Sequence, residues 1–344
     1  MRSTNKTAMK TGSILLAVLL MLTCLLAGCG GQAAVEPLPQ EDRVLRHEDV
    51  AGGSEFVFGT DIYKSTVVSV EFHDNIPRSA KNAVDVSETQ NGGVLLWAKE
   101  GKDGLNQIHI GAQGGVIAPR DCGYLFSSSE DLVKLGKFYR NLKTVTFGSA
   151  FDGSQAVNLS HMFDSCNVLE TLDLTGFTGA AAEDLSYMFA DCKALTEAAM
   201  TDFSSASVKD MNNMFRYCVN LQSVSLGGME TSQVTDLGEM FSFCYNLTQL
   251  DLTGMNTAAA ESMDKMFFQC KNLKTLDVTS FDTSAVKDMS NMFASCKSLE
   301  KLDLSGFQLA EKVKLKDIFN HCSAGMELIT ENEKLQSLFS MQSE

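Results

Sequence analysis

From residue 159 to residue 322 the apolar positions return at one fixed interval. Cys166, Cys192, Cys218, Cys244, Cys270, Cys296 and Cys322 lie 26 residues apart, and each follows a phenylalanine by three positions, from Phe163 to Phe319. An unbroken series at one spacing marks a repeat architecture. Within the unit that begins at Met263, the positions Met263, Met266, Phe267, Cys270 and Leu273 fall at i, i+3, i+4, i+7 and i+10, which predicts one face of a helix. Leu276 and Val278 then alternate around Asp277, the period of a short strand, and Phe281 closes the unit before a polar turn. The reading is an α/β fold, a leucine-rich-repeat-like solenoid of 26-residue helix–strand rungs. One rung holds too few apolar side chains to fold alone, so neighbours must share a core. Asp184, Asp210, Asp236 and Asp288 precede successive helical stretches, where a carboxylate would cap free N–H groups, and Asp236 with Glu239 has the spacing of a capping box.

The ends of the series read as caps. Six copies span 159–314, and a seventh, LKDIFNHC, decays into the charged tail ENEKLQSLFSMQSE. Upstream, residues 125–132 copy the pattern with Ser129 in the cysteine place, but Phe126 stands 37 residues before Phe163, so a variant rung with an insertion is expected. Residues 56–124 carry short alternating runs, VVSVEF, VLLWAKE and NQIHIGA, the last two flanking a hairpin signal at Gly101 to Gly104. They predict a β-rich N-terminal cap on a solenoid of residues 125–344. Residues 29–55 lack periodicity and read as a flexible tether reaching about 25–30 Å.

Charge and leader narrow the setting. The formal charge of −15 over 344 residues leaves no cation excess for nucleic-acid phosphates. Arg2, Lys6 and Lys10 precede the apolar run Ile14 to Leu22, which continues to Ala27. As a helix this run spans about 21 Å, short of a bilayer core, so residues 1–28 read as an export signal. The run ends in Leu25-Leu26-Ala27-Gly28-Cys29, which resembles a bacterial lipobox and makes Cys29 the expected lipidation site. The expected location is the outer face of the bacterial cell membrane, with the lipid as the only membrane contact.

The repeat M-F-x-x-C-x-x-L-x-x-L-D-L-S-x-F-D-T-S-x-V-x-D-M, clearest over residues 263–307, resembles that of the BspA-like leucine-rich-repeat surface lipoproteins of bacteria. The stretches Val67 to Phe72, Asp85-Val86-Ser87, Gly114 to Pro119 and Tyr124-Leu125-Phe126 are similar to the region preceding those repeats, so the likeness covers roughly residues 60–322. It implies a curved cell-surface repeat domain that binds host or microbial surfaces, with no assigned catalysis. The chain departs from that consensus at Ala198-Ala199-Met200, where L-D-L is expected, and at TGAAAED (178–184) and NTAAAES (256–262).

Chemistry is sparse in the sequence. The cysteine column reads first as buried thiols acting as small apolar groups, although adjacent rungs would also permit disulfides. No close-spaced cysteine pair suggests zinc, the five histidines are scattered, and no catalytic motif, metal site or cofactor is expected. Two surfaces are candidates for binding. One is the outward strand face, with Asp173, Asp251, Asp277, Asp303, Thr253 and Thr279 in an acidic, hydroxyl-rich stripe. The other is an aromatic group off the core stripe, Tyr217, Phe243, Tyr245 and Phe268. The expected function is adhesion to, or recognition of, a protein or glycan on host, matrix or neighbouring cells. The alternative is a structural or sensory envelope component that binds a bacterial protein or wall polymer.

Overall fold

A computed structural model describes residues 36–47, 55–128, 138–200, 203 and 206–342. The leader, Cys29 and Ser129 lie outside the described residues. The repeat consists of short parallel strands joined by turns, a β-rich, solenoid-like arrangement. The strands are β1 (Val67–His73), β2 (Val84–Asp85), β3 (Leu95–Glu100), β4 (Asn106–Gly111), β5 (Val116–Ile117), β6 (Thr144–Thr146), β7 (Phe151–Asp152), β8 (Thr171–Asp173), β9 (Glu197–Ala199), β10 (Ser223–Ser225), β11 (Gln249–Asp251), β12 (Thr275–Leu276), β13 (Lys301–Asp303) and β14 (Glu327–Ile329). Where repeat strands pair they do so in parallel at the 26-residue step, with Val224 opposite Leu250 and Leu302 opposite Leu328.

The expected rung helices are absent from the described residues; each apolar stretch is a chain of turns. In the unit at Met263, alternate N–H groups leave the rung: those of Met263, Lys265, Phe267 and Gln269 donate to the carbonyls of Asp288, Ser290, Met292 and Ala294 at 2.8–2.9 Å. The N–H groups between them close i to i−3 turns, Met266 to Met263, Phe268 to Lys265 and Cys270 to Phe267. Lys265 and Gln269 take left-handed backbone conformations with φ of 50° and 63°. A helix would satisfy its amides internally and give the next rung nothing. The turn chain spends half of them on its neighbour, which is how thin rungs cohere. Both geometries turn the same i, i+3, i+4, i+7 positions inward, so the apolar pattern does not separate them. A weaker signal does: Asn213, Asn291, Asp191, Asp317, His161 and His321 stand two residues from the core phenylalanines at positive φ, where Asn, Asp and His are enriched.

The correction extends to the capping aspartates. Asp184, Asp210 and Asp236 accept through Oδ1 from the N–H two residues on, that of Ser186, Asn212 or Gly238, each at 2.8 Å, and Asp288 does so from Ser290 at 3.0 Å. These are Asx turns, not helix N-caps. Glu239 does not complete a capping box; it bridges Arg216 and Lys265, each at 2.7 Å.

The core is a set of files running through the rungs. Phe126, Phe163, Phe189, Phe215, Phe241, Phe267, Phe293 and Phe319 are fully buried and stacked, with centroids 5.2–6.1 Å apart and planes within 17°. The 37-residue interval before Phe163 leaves the file unbroken, because Phe126 N–H still donates to Met162 and Cys166 Sγ–H still reaches the Phe126 carbonyl. The described thiols form no disulfide. Each donates to the preceding rung's phenylalanine carbonyl, as Cys192 does to Phe163 at 3.2 Å and Cys322 to Phe293 at 3.0 Å. Burial pushes all their pKa values up, so they sit as protonated donors.

The cap and repeat form one sheet across residue 124, in the strand order β2-β3-β4-β1-β6-β8. The expected hairpin joins antiparallel β3 and β4. Part of the expected tether is structure instead: Leu45 is buried and its N–H donates to Ile117, while Arg46 N–H donates to Val86. At the other end the charged tail forms α1 (Glu333–Gln342), with Asn332 Oδ1 accepting from Lys334 and Leu335 as its N-cap. Phe339 lies edge-on to Phe319 at 5.6 Å.

Candidate binding surface

The strand face brings the predicted acids to one side but not into one sheet. Asp251 is exposed on β11 and Asp277 is exposed just after β12, strands that belong to different sheets, and Asp173 lies on the cap sheet. Each carboxylate is committed locally: Asp173, Asp251, Asp277 and Asp303 accept from the N–H of Thr175, Thr253, Thr279 and Ser305 at 2.9–3.0 Å, and Thr279 Oγ1 adds a bond to Asp277 at 2.6 Å. Hydrogen bonds from Thr253, Thr279 and Ser305 hold Asp251, Asp277 and Asp303 below the usual carboxylate range. These three are charged at neutral pH, and the first duty of the stripe is to end strands. Where Ala198-Ala199-Met200 replaces the consensus, β8 and β9 do not pair, and a cavity of about 210 Å³ opens between Leu172, Leu174, Phe177, Ala199, Met200 and Phe203.

The turn face is built differently, because its outward side chains leave residues at positive φ. Tyr217 (φ 60°) and Phe243 (φ 63°) occupy equivalent places in successive rungs and stack at 4.2 Å with planes 3° apart. Their N–H groups donate to Ser242 and Phe268, so the ladder sets the ring spacing. Phe268 and Tyr245 stand edge-on to Phe243 at 5.1 and 6.0 Å. The guanidinium of Arg216 lies 4.5 Å over Tyr217, and Lys271 Nζ lies 4.1 Å over Tyr245. All four aromatics are half-buried, and the four predicted residues are in one cluster.

A second stack was not legible. Tyr124, His161 and Tyr187, at φ of 59°, 56° and 56°, stack at 4.4 and 4.6 Å in the other left-handed column. The 37-residue interval hides the equivalence of Tyr124 with His161. Tyr187 has its pKa raised by burial, with Arg216 opposing, which keeps its hydroxyl protonated.

The aspartate column between these surfaces carries an electrostatic penalty. Asp184, Asp210 and Asp236 bridge one another along the ladder, and burial, followed by the charges of its two neighbours, raises the pKa of Asp210. An acid whose pKa is raised on folding destabilises the fold once it ionises, and the effect vanishes below its unfolded pKa. Asp210→Asn keeps the Oδ1 acceptor, as Asn158 does naturally for Ser160 in the same column. The expected result by thermal denaturation is a rise in Tm on the order of 1–3 °C at pH 7, which disappears below about pH 4.

The repeat region is what comparison with known proteins recovers. A family described as "Mycoplasma protein of unknown function, DUF285" matches residues 134–225 and 218–332, more than half of the chain. The chain belongs to the DUF285 family. The matched segments of this DUF285 member begin near β6 and end just after β14, so they cover the repeat and leave out most of the cap sheet. Among curated proteins, none matches the chain. No helix among the described residues is long and apolar enough to cross a membrane.

Proposed function

We propose that this DUF285 protein is an exported, lipid-anchored surface protein whose repeat is a leucine-rich-repeat-like solenoid of the BspA-like kind, and that it binds a macromolecular partner through the aromatic cluster of its turn face. The lipobox at Cys29 and the resemblance of residues 263–307 to BspA-like repeats support export and display. One observation carries the choice of surface. Tyr217 and Phe243 stand at φ near +60°, where a bulky side chain is disfavoured and Asn or Gly would sit more easily. Ser165, Asp191, Gln269, Ser295 and His321 share that conformation in the same column, and only these two rungs fill the place with tyrosine or phenylalanine. Half-exposed tyrosines and phenylalanines with an arginine among them also have the composition of interface hot spots. The strand-face acids are spent on their own turns and support the proposal less.

The test exploits the backbone. Tyr217→Asn with Phe243→Asn removes the rings at positions whose conformation Asn accepts, so lost stacking of about 0.5–1.5 kcal/mol is partly offset by relieved strain. Adhesion of the purified chain to host cells, matrix coats and bacterial cells is expected to fall at least tenfold in the double variant, with Tm nearly unchanged. Unchanged adhesion in this variant, with loss in a triple variant Asp251→Lys, Asp277→Lys, Asp303→Lys, would move the binding surface to the strand face.

A further inference from the structure

We propose that Glu71, His73 and His109 form a binding site for a first-row divalent transition-metal ion of the zinc class, on the outer face of the cap sheet. The sequence hides it, because His73 and His109 lie 36 residues apart in no motif. The sheet assembles it. Strands β1 and β4 are parallel neighbours with Glu71 opposite His109 and His73 opposite Gly111, and Glu71 and His73, two residues apart, share a face.

The three donor atoms converge. His73 Nε2 is 3.0 Å from His109 Nδ1, and Glu71 Oε2 is 3.4 Å from His109 Nδ1 and 3.9 Å from His73 Nε2. An ion bound at about 2.0–2.1 Å in tetrahedral geometry separates its donors by roughly 3.3–3.5 Å, which the three separations straddle. Without a metal the arrangement is only partly satisfied. Only one proton fits between the facing nitrogens, and the carboxylate oxygen looks onto the same spot at 3.4 and 3.9 Å. A single cation at the centroid meets all three lone pairs. Two imidazoles and one carboxylate favour zinc, cobalt, nickel or copper over calcium or magnesium.

The surroundings hold the rings in place. Trp97, opposite His109 on β3, lies along both imidazoles, 5.6 Å from His109 and 5.3 Å from His73. Gly111 makes room for it, since a Cβ there would stand 2.7 Å from the Asn75 carbonyl, 3.2 Å from the Trp97 ring and 3.3 Å from the His73 Cβ. Such an outer shell orients ligands. The histidine side chains are 28% and 20% exposed, so the fourth coordination position faces solvent, open to water or to a donor from another molecule. The site is independent of the turn-face reading.

Trp97 is the chain's sole tryptophan and touches the site, so it reports on it. The purified untagged chain, stripped with chelator and returned to buffer, is titrated with zinc while Trp97 emission and heat are followed. One saturable equivalent with a change in emission is expected. His109→Gln and Glu71→Gln are expected to weaken it by at least about 10–100-fold, the loss seen even for outer-shell partners, while His161→Gln leaves it unchanged. Glu71 is half-exposed, so its variant keeps the test valid if His109→Gln does not fold. Cobalt(II) identifies the donors. No saturable uptake, uptake unaltered by both ligand variants, or thiolate-to-cobalt absorption placing the metal on cysteines would overturn the proposal.

Discussion

Phe241→Ala is expected to lower stability by about 3–5 kcal/mol, the cost of removing a fully buried aromatic that its surroundings cannot refill. Phe241 is stacked between Phe215 at 5.7 Å and Phe267 at 5.8 Å, and its carbonyl also accepts the Cys270 thiol, so the void opens in mid-file with the backbone bonds around it intact. In a repeat whose units touch only their neighbours, the damage falls on the coupling between halves. Calorimetry should show a Tm lower by roughly 10 °C and an endotherm broadened or split into two. Phe319→Ala, at the last rung with α1 beyond it, should lower Tm less and leave a single transition. A narrow single transition for Phe241→Ala, with Tm within 2 °C of the parent, would show that the file is not what couples the rungs.

Excising Met263–Asp288, one repeat of 26 residues, is expected to leave a folded protein. Met263, Met289 and the residues after them hold equivalent places, since Met263 N–H donates to Asp288 and Met289 N–H to Lys314. After excision Ser262 joins Met289, and Leu237, whose N–H donates to Ser262, keeps its partner. Every file loses one member and remains continuous. Cooperative unfolding should persist with a denaturant m-value smaller by about a tenth, in proportion to the surface removed. Excising Met263–Met289, one residue more, puts each later core residue one place out of register, turning side chains from inside to outside. That chain should show loss of near-ultraviolet circular dichroism and no cooperative transition. Equal behaviour of the two deletions would refute a strict register between rungs.

Much of the fold was legible because it is written as a period. The spacing of the cysteines and phenylalanines gave the rung length, the inward set and the parallel register, and the alternation around Asp277 and its equivalents placed the strands. The helix was misread for a physical reason: a 3.6-residue helix and a chain of overlapping turns with left-handed residues four apart bury the same positions. Only the identity of the outward residues tells them apart, and Tyr217, Phe243 and Tyr187 are poor markers of that conformation. Of the candidate surfaces, the aromatic group was legible from ladder equivalence alone. The Tyr124–His161–Tyr187 stack was concealed by an insertion. Glu71 and His109 were concealed by a strand pairing between β1 and β4 that no local pattern announces.

One feature at the end of the ladder bears on whether these molecules stay single. In every inner rung the amides at the core phenylalanine and two residues beyond it reach for a following rung. At the last one, Phe319 N–H is taken instead by the side chain of Gln342, at 3.1 Å, and His321 N–H by that residue's carbonyl, at 3.3 Å. A lone glutamine at the end of α1 thus closes the turn ladder, where bare backbone amides would offer a template to another chain. With the plug in place, these two amides of the last rung are not open to another copy of the chain.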